Sequence, residues 1–352
     1  MKKVELLEVT LRDGSYAVNF SFTEQDTALL CKGLEEAGFN YIEVGHGVGP
    51  GASGEKYGRA AATDEEYMRA AQSALTKAKW GMFCIPGIAR LEDLDLAHKY
   101  GMGFVRIGTN VTEVAESEAF IKKAKELGMF VAANYMKSYA LEPREFAEQV
   151  LLSQSYGADL AYIVDSAGSM FPEDLERYYK AIRAVTDIPV GFHGHENLGM
   201  SVANSVAAAD MGIEFIDCSL QGLGRSSGNA CTEMLVAALT KKGYDLGIDL
   251  FKLFELGQKL VKPLITENGR APLDVICGFA EFHSSYMPQI QKYSAKYGVD
   301  PLLLILEITK IDKVNLDVEQ LESIAKKLPK SADVSLGKYG FNRYVGGEQD
   351  AK

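Results

Sequence analysis

Short apolar and β-branched runs alternate along this chain with longer segments in which apolar residues recur every three or four positions, and the alternation repeats eight times before residue 245. The runs near 4–11, 41–45, 81–85, 105–108, 130–135, 161–165, 190–192 and 215–219 predict strands. The segments near 24–37, 64–78, 91–100, 112–127, 143–156, 173–185, 199–211 and 230–242 predict helices. Their ends carry punctuation: Thr23 with Asp26 makes a near capping box, Thr63 precedes Asp64, Glu65 and Glu66, and Gly38, Gly101, Gly128 and Gly157 stand where helices should stop. Strict strand-helix alternation implies a parallel sheet, and eight units can close, whereas a doubly wound open sheet uses about five or six strands. The predicted fold is therefore α/β, a (β/α)8 TIM barrel over residues 1–245. Beyond it the strand signal ends and helical periodicity continues, which predicts a small C-terminal helical domain over 246–330 and, from its glycines and polar residues, a loosely ordered tail over 331–352.

Composition narrows what such a fold does. With 352 residues, 47% hydrophobic and 24% charged, the chain has room for a large core. A formal charge of −11 argues against binding to nucleic acid or an anionic membrane, since both require Lys and Arg to displace counterions. No leading apolar segment of the kind a signal peptide needs is present, and no run approaches the ~20 apolar residues of a membrane span. Five cysteines without C-x-x-C spacing indicate neither a disulfide framework nor a structural zinc site. A cytoplasmic protein acting on a small molecule is the expectation.

Active sites of such barrels are built at the C-terminal ends of the strands. There the chain places Arg12-Asp13, Glu43 with His46, Asp165-Ser166, and His193-Gly194-His195. Two histidines at i and i+2 on extended backbone project to one side, and a carboxylate from another strand can complete a facial ligand set suited to Mn, Fe, Co or Zn dications. A hydrogen-bonded pair without metal is the competing reading, and the strand-end position favours ligation. The chain holds five histidines, of which His46, His193 and His195 fall at strand ends while His98 reads as a helix-surface residue. Arg12 offers a fixed fork for a carboxylate or an enolate oxygen, or else a structural ion pair. Glu43 and Asp165 are expected to orient Arg12 or the histidines. The stretch 45–59, with six glycines in fifteen residues, is either a flexible cover or a surface excursion, and the glycines of 222–229 fit a phosphate loop or close packing beside a metal.

Taken together, these motifs resemble a known family. Glu8 to Ser15, Tyr41 to Gly47, Val164 to Gly168, Gly191 to His195 with Asn197-Leu198-Gly199, and Leu223-Gly224 with Ser227-Gly228-Asn229 are similar to the DRE-TIM metallolyases, the metal-dependent pyruvate aldolases and acyl-transferring synthases. The resemblance implies Asp13, His193 and His195 as metal ligands, Asn229 as a candidate fourth, and Arg12 as the enolate stabiliser. It also implies Ser166 and His46 as substrate-binding residues, and Mn2+ as the cofactor, with Mg2+, Co2+ or Zn2+ as alternatives. A 2-oxo acid is the implied partner. Homo-oligomerisation and an aldehyde dehydrogenase partner are further expectations of the same kind.

The pattern departs from the pyruvate aldolases at the general base. Tyr16 and Phe20 stand where those enzymes carry histidines, while His283-Ser284-Ser285 stands where they place a functional tyrosine. Tyrosine, with a pKa near 10, is a poor base at neutral pH. The exchange suggests that His283 and Tyr16 face each other, His283 as base and Tyr16 orienting it or the substrate hydroxyl; otherwise His283 is a satisfied helix residue and Tyr16 reshapes the pocket. The expected reaction is aldol cleavage or formation of a 4-hydroxy-2-oxo acid through a pyruvate enolate. A Claisen-type acyl-CoA synthase and a non-catalytic barrel that binds a partner enzyme are the alternatives.

Overall fold

Eight parallel strands close into a barrel: β1 (Glu5–Glu8), β2 (Tyr41–Glu43), β3 (Lys79–Cys84), β4 (Phe104–Asn110), β5 (Phe130–Met136), β6 (Leu160–Asp165), β7 (Val190–Gly194) and β8 (Phe215–Cys218). Closure is direct, since Glu5 to Glu8 pair in register with Phe215 to Cys218. Helices α1 (Glu24–Ala37), α2 (Asp64–Ala74), α3 (Leu91–Lys99), α4 (Glu118–Glu126), α5 (Pro143–Tyr156), α6 (Pro172–Arg183), α7 (Ser201–Met211) and α8 (Thr232–Lys241) follow the strands in turn. The Thr23/Asp26 box forms in full, as does one between Thr63 and Glu66, and Gly38 and Gly157 end their helices with positive φ. This computed structural model describes residues 3–265, 271–331, 339–341 and 344.

β1 is shorter than the run 4–11, for a reason that matters to the site. The Val9 carbonyl accepts the amides of Arg12 (3.1 Å), Asp13 (2.9 Å) and Gly14 (3.2 Å), so the chain leaves the sheet and curls into a 3-10 turn over Asp13–Val18. Arg12 and Asp13 are thereby lifted over the barrel mouth.

The barrel interior is layered by the two-residue period of its strands. Leu7, Val9, Phe104, Ala132, Leu160, Tyr162 and Val164 form an inner cluster edged by Tyr41, Phe130 and Phe215. Two residues farther along their strands, Tyr41, Phe104 and Phe215 are succeeded by Glu43, Arg106 and Asp217, all buried. An aromatic layer thus carries a charged one.

Helix α9 (Leu250–Leu256) and the turns up to Leu264 pack on the barrel, with Leu253 and Val261 in its main core. The change of core thus falls near residue 265, later than the predicted 245, because periodicity reveals a helix but not the partner it packs against. Helices α10 (Pro272–Ala280), α11 (Met287–Tyr297), α12 (Pro301–Thr309) and α13 (Val318–Lys327) enclose a second core around Leu273, Met287, Ile290, Leu304 and Leu321. Of the predicted tail, Tyr339 and Phe341 are buried in that core and Tyr344 donates to Asp274 (2.7 Å), because aromatic side chains repay their ordering. Residues 332–338, 342–343 and 345–352 lie outside the described residues. The five cysteines are unpaired, and among the described residues no helix is long and apolar enough to cross a membrane.

Candidate active site

Strand β7 delivers His193 and, one residue past its end, His195, while the turn after β1 delivers Asp13; their ligand atoms lie within 4.8 Å of one another, and all three residues are buried. His193 Nδ1 sits 2.7 Å from Asp217 Oδ2, and His195 Nδ1 sits 3.1 Å from the Gly228 carbonyl. Carboxylate and carbonyl oxygens only accept, so both rings carry a proton at Nδ1. With one proton on each ring, both Nε2 lone pairs point into the same space, 3.3 Å apart, beside the Asp13 carboxylate. Burial pushes the His195 imidazole down to about 3, which keeps it neutral at physiological pH. Burial would raise the Asp13 carboxyl, but Arg12 and the other positive groups outweigh it and hold it well below the carboxylate range. One buried carboxylate and two converging nitrogen lone pairs fit a divalent cation. Asn229 donates from Nδ2 to Asp13 Oδ2 (2.8 Å) and leaves a buried, unsatisfied Oδ1, so its amide oxygen is available as a further donor.

Beneath this set runs a chain of alternating charges. Asp13 binds Arg12 Nη1 (2.6 Å), Arg12 Nε binds Glu43 Oε2 (2.6 Å), Arg106 bridges Glu43 and Asp217, and Asp217 returns to His193. Burial would raise Glu43 and Asp217, but Arg106, helped by Arg12 and His193, lowers both, so the carboxylates stay ionised. Arg12 also lies over the Phe83 ring, 4.7 Å from its centroid.

A cavity opens above, lined by Arg12, Asp13, Tyr16, Ser166, Arg225 and His283 together with both metal-set histidines and several apolar side chains. Tyr16 and His283 thus both line the cavity, brought from the first turn and from the helical domain. At His283, Nδ1 receives the Ser285 amide (3.4 Å) and faces Arg225 Nη1 (3.4 Å), with Ser285 Oγ at 2.6 Å. Two obligate donors make Nδ1 the lone-pair nitrogen. Burial, then Arg225 and Lys137, push this imidazole well below its ordinary value. Ser166 Oγ accepts the Lys137 amide (2.9 Å), which fixes it at the end of β6.

Several expectations need correction. His46 does not reach the cavity: its ring stacks on Phe20 (3.9 Å between centroids), Nδ1 accepts the Val48 amide (3.2 Å) and Nε2 contacts the Gly58 carbonyl (3.1 Å). Burial lowers its pKa to about 4, so it is a neutral packing residue. Asp165 orients neither Arg12 nor a histidine side chain; its carboxylate accepts the amides of Ser169 (2.9 Å) and Met170 (3.0 Å) and shapes its own loop. Of the stretch 45–59, residues 45–50 are buried, while all of 51–59 except Ala52 are partly or fully exposed. A Cβ on Gly47 would meet the Tyr16 ring at 2.3 Å, and one on Gly58 would meet the Phe20 ring at 2.3 Å. Glycine makes space there for the two aromatics. The loop at 222–229 folds onto itself, through Asn229 N–H to Gly222 O (3.0 Å) and Gly228 N–H to Arg225 O (3.0 Å), and turns Arg225 inward.

Sequence reasoning missed Arg106, Asp217 and Arg225. For the first two a signal existed: each is a charge within an apolar run, two residues after an aromatic. Arg225 lies in a loop whose path periodicity does not encode.

Comparison with known proteins follows the same line. A family model described as HMGL-like matches residues 3–260. The 4-hydroxy-2-oxovalerate aldolase of Carboxydothermus hydrogenoformans is 38% identical over 333 residues, 94% of this chain and 98% of that protein. The enzyme of the same name from Moorella thermoacetica is 38% identical over 330 residues, 93% and 97% of the two chains. Among solved structures, the carboxyl transferase domain of Rhizobium etli pyruvate carboxylase superposes with a TM-score of 0.75 at 16% identity, over 94% of this chain and 61% of that one. HMG-CoA lyase from Brucella melitensis gives 0.60 at 16% identity, over 76% and 100%. At such identity these two structures speak to the fold alone. By the family match and the near full-length relatives, the chain belongs to the HMGL-like family, the metallolyase group that its strand-end motifs resemble.

Proposed function

We propose that the protein is a divalent-metal-dependent aldolase, a carbon-carbon lyase that cleaves a 4-hydroxy-2-oxo acid to pyruvate and a carbonyl product, and forms it in reverse. The convergence of Asp13, His193 and His195 beside Arg12 carries this reading, supported by relatives named as aldolases of this kind. An ion held by Asp13, His193 and His195, with Asn229 as candidate fourth ligand, supplies a Lewis acid for the carboxylate and carbonyl oxygens of the oxo acid; Mn2+ is the proposed metal, with Mg2+, Co2+ and Zn2+ as alternatives.

The chain's own groups do the rest. Arg12, held rigid between Asp13 and Glu43, faces the oxygen on C2 where negative charge develops. Ser166 positions the substrate carboxylate. His283 Nδ1, now contacted by the Ser285 amide and hydroxyl and by Arg225, turns to the C4 hydroxyl and takes its proton, and Tyr16, which lines the same cavity, orients that hydroxyl. The C3–C4 bond breaks, its electron pair becomes the C2–C3 double bond of the enolate as the C2 carbonyl pair moves onto oxygen, and protonation at C3 yields pyruvate. A reducing, cytoplasmic setting is supported by the unpaired cysteines, and a homo-oligomer and a dehydrogenase that consumes the released aldehyde complete the proposal.

The test is pyruvate release from a panel of 4-hydroxy-2-oxo acids by chelator-stripped and metal-reloaded protein. Release by the reloaded protein alone is expected. Release of free coenzyme A from acetyl-CoA and 2-oxo acids instead would make it a synthase. No turnover in any arm by metal-loaded protein would leave a barrel that binds without catalysing.

A further inference from the structure

Strands β5 and β6 pair side by side, and each brings one polar side chain to the cavity: Asn134 from within β5, and Ser166 from just past the end of β6. Asn134 stands two residues beyond Ala132, the register partner of Arg106, and so one step nearer the barrel mouth than the charged layer. Arg106 Nη1 reaches Asn134 Oδ1 at 3.5 Å. A guanidinium only donates, so the oxygen is the arm of the carboxamide that faces Arg106, and the nitrogen is the other arm. Among the described residues nothing accepts from that nitrogen. Ser166 is in a similar state, since its Oγ accepts the Lys137 amide (2.9 Å) and its own proton meets no acceptor.

Two unspent donors on neighbouring strands ask for an acceptor. Both residues are buried, each 4% exposed, and a donor held away from water without a partner is costly. The pyruvate half of the substrate brings an acceptor. Its C2 oxygen and one carboxylate oxygen are the pair that an ion at Asp13, His193 and His195 would polarise, which leaves the second carboxylate oxygen to the protein. That oxygen can accept two hydrogen bonds, and the Ser166 hydroxyl can donate only one. Phe83, Met136 and Val164, which line the same cavity, have no polar side-chain group to offer it. Asn134 supplies the missing donor.

We propose that Asn134 is a substrate-binding residue, whose Nδ2 donates beside Ser166 Oγ to the carboxylate oxygen of the 2-oxo acid that faces away from the metal. The inference rests on the aldolase reading and adds a residue to its carboxylate subsite. Arg106 thereby has a second task. By holding the amide oxygen it fixes which arm of Asn134 the cavity receives, so a cation of the charged layer selects a hydrogen-bond donor for the substrate. An aspartate at this position would satisfy Arg106 equally well but would set one carboxylate against another.

Asn134→Asp is the discriminating change, because it keeps the size of the side chain and the acceptor for Arg106 and removes only the donor. Wild type and variant at saturating metal are titrated calorimetrically with pyruvate and with pyruvamide, in which an NH2 group replaces the second carboxylate oxygen. Wild type should prefer pyruvate. In Asn134→Asp that preference should fall roughly 10- to 100-fold, the range of one hydrogen bond to a charged acceptor, since the new carboxylate repels pyruvate and accepts from pyruvamide; metal content should stay unchanged. Asn134→Ala should weaken pyruvate by about tenfold and leave pyruvamide within about twofold. An unaltered ratio of the two affinities in either variant overturns the proposal, since Asn134 would then only anchor Arg106. Pyruvamide bound as tightly as pyruvate by the wild-type protein overturns it even if neither variant folds. Pyruvate bound as expected, with no turnover of any 4-hydroxy-2-oxo acid, would sink the aldolase reading and leave the assignment of Asn134 standing.

Discussion

The floor of the site and its roof are built on opposite plans. The floor, from Asp13 through Arg12, Glu43, Arg106 and Asp217 to His193, alternates in sign, and each charged member touches a neighbour of opposite charge. Its residues come from the barrel strands and the single turn that follows β1. The roof, with Tyr16, Arg225, Lys137 and His283, combines loops with the helical domain: Lys137 Nζ lies 3.3 Å from the Tyr286 hydroxyl and reaches the Val314 carbonyl, and Asn197 donates to the Asp274 carbonyl (2.8 Å). A floor that settles its own electrostatics can hold a metal before substrate arrives. The roof, assembled where loops meet the helical domain, is the half suited to distinguishing one substrate from another.

Mutations should divide along this line. The largest effect is expected at the roof: His283→Ala should lower kcat by about 10²- to 10⁴-fold, the range of a general base, while metal content measured by atomic emission stays at the wild-type value. Because His283 is held well below 6.5, wild-type kcat should stay flat as pH falls from 8 through 6.5; a limb at 6.5 that vanishes in the variant would assign it an ordinary, exposed imidazole. On the floor, Arg106→Leu leaves Glu43 and Asp217 buried without their shared cation and should cost about 3–5 kcal/mol of folding stability in urea titrations. Loss of turnover with stability intact would mean that the charge layer is functional but not structural. Asp217→Asn, which weakens the partner of His193, should reduce metal affinity about 10- to 100-fold with little change in kcat at saturating metal.

The smallest expected effect sharpens the contrast within one strand end. Glu8, like Asp13, is fully buried, but it faces only dipoles: the Thr10 and Leu220 amides and the Thr10 and Thr232 hydroxyls. Burial outweighs them and raises its pKa to about 7. A raised carboxyl contributes stability that is full below its unfolded value of 4.5 and is lost as pH rises to about 7, with a slope of about 1.4 kcal/mol per pH unit. Glu8→Gln should abolish that component, so the stability difference between variant and wild type should shift in the variant's favour from pH 4.5 to 7. An unchanged difference across that window would show Glu8 ionised throughout.

Much of this was legible in the sequence, for reasons that also mark where legibility stops. Eight strands and their helices follow from periods of two and 3.6, which local residues enforce, and the capping at Thr23 and Thr63 is local as well. His193 and His195 were readable because a strand end in a barrel has one destination. His46, also near a strand end, was misplaced because Gly45 intervenes with positive φ and the ring turns onto Phe20. Arg106 and Asp217 pair across the barrel interior over 111 positions, a contact that no local window contains. Arg225 and His283 meet only because the helical domain docks on the barrel, and the resemblance singled out His283 without its partner.

The Val9 carbonyl that gathers three amides has one more implication, for how such a protein can change over generations. It is a main-chain device, indifferent to side-chain identity, and it sets Asp13 in place before the chain reaches residue 16. Inheritance can therefore try new residues at 16 and 20, with Gly47 and Gly58 as the matching vacancies, without refounding the metal centre each time.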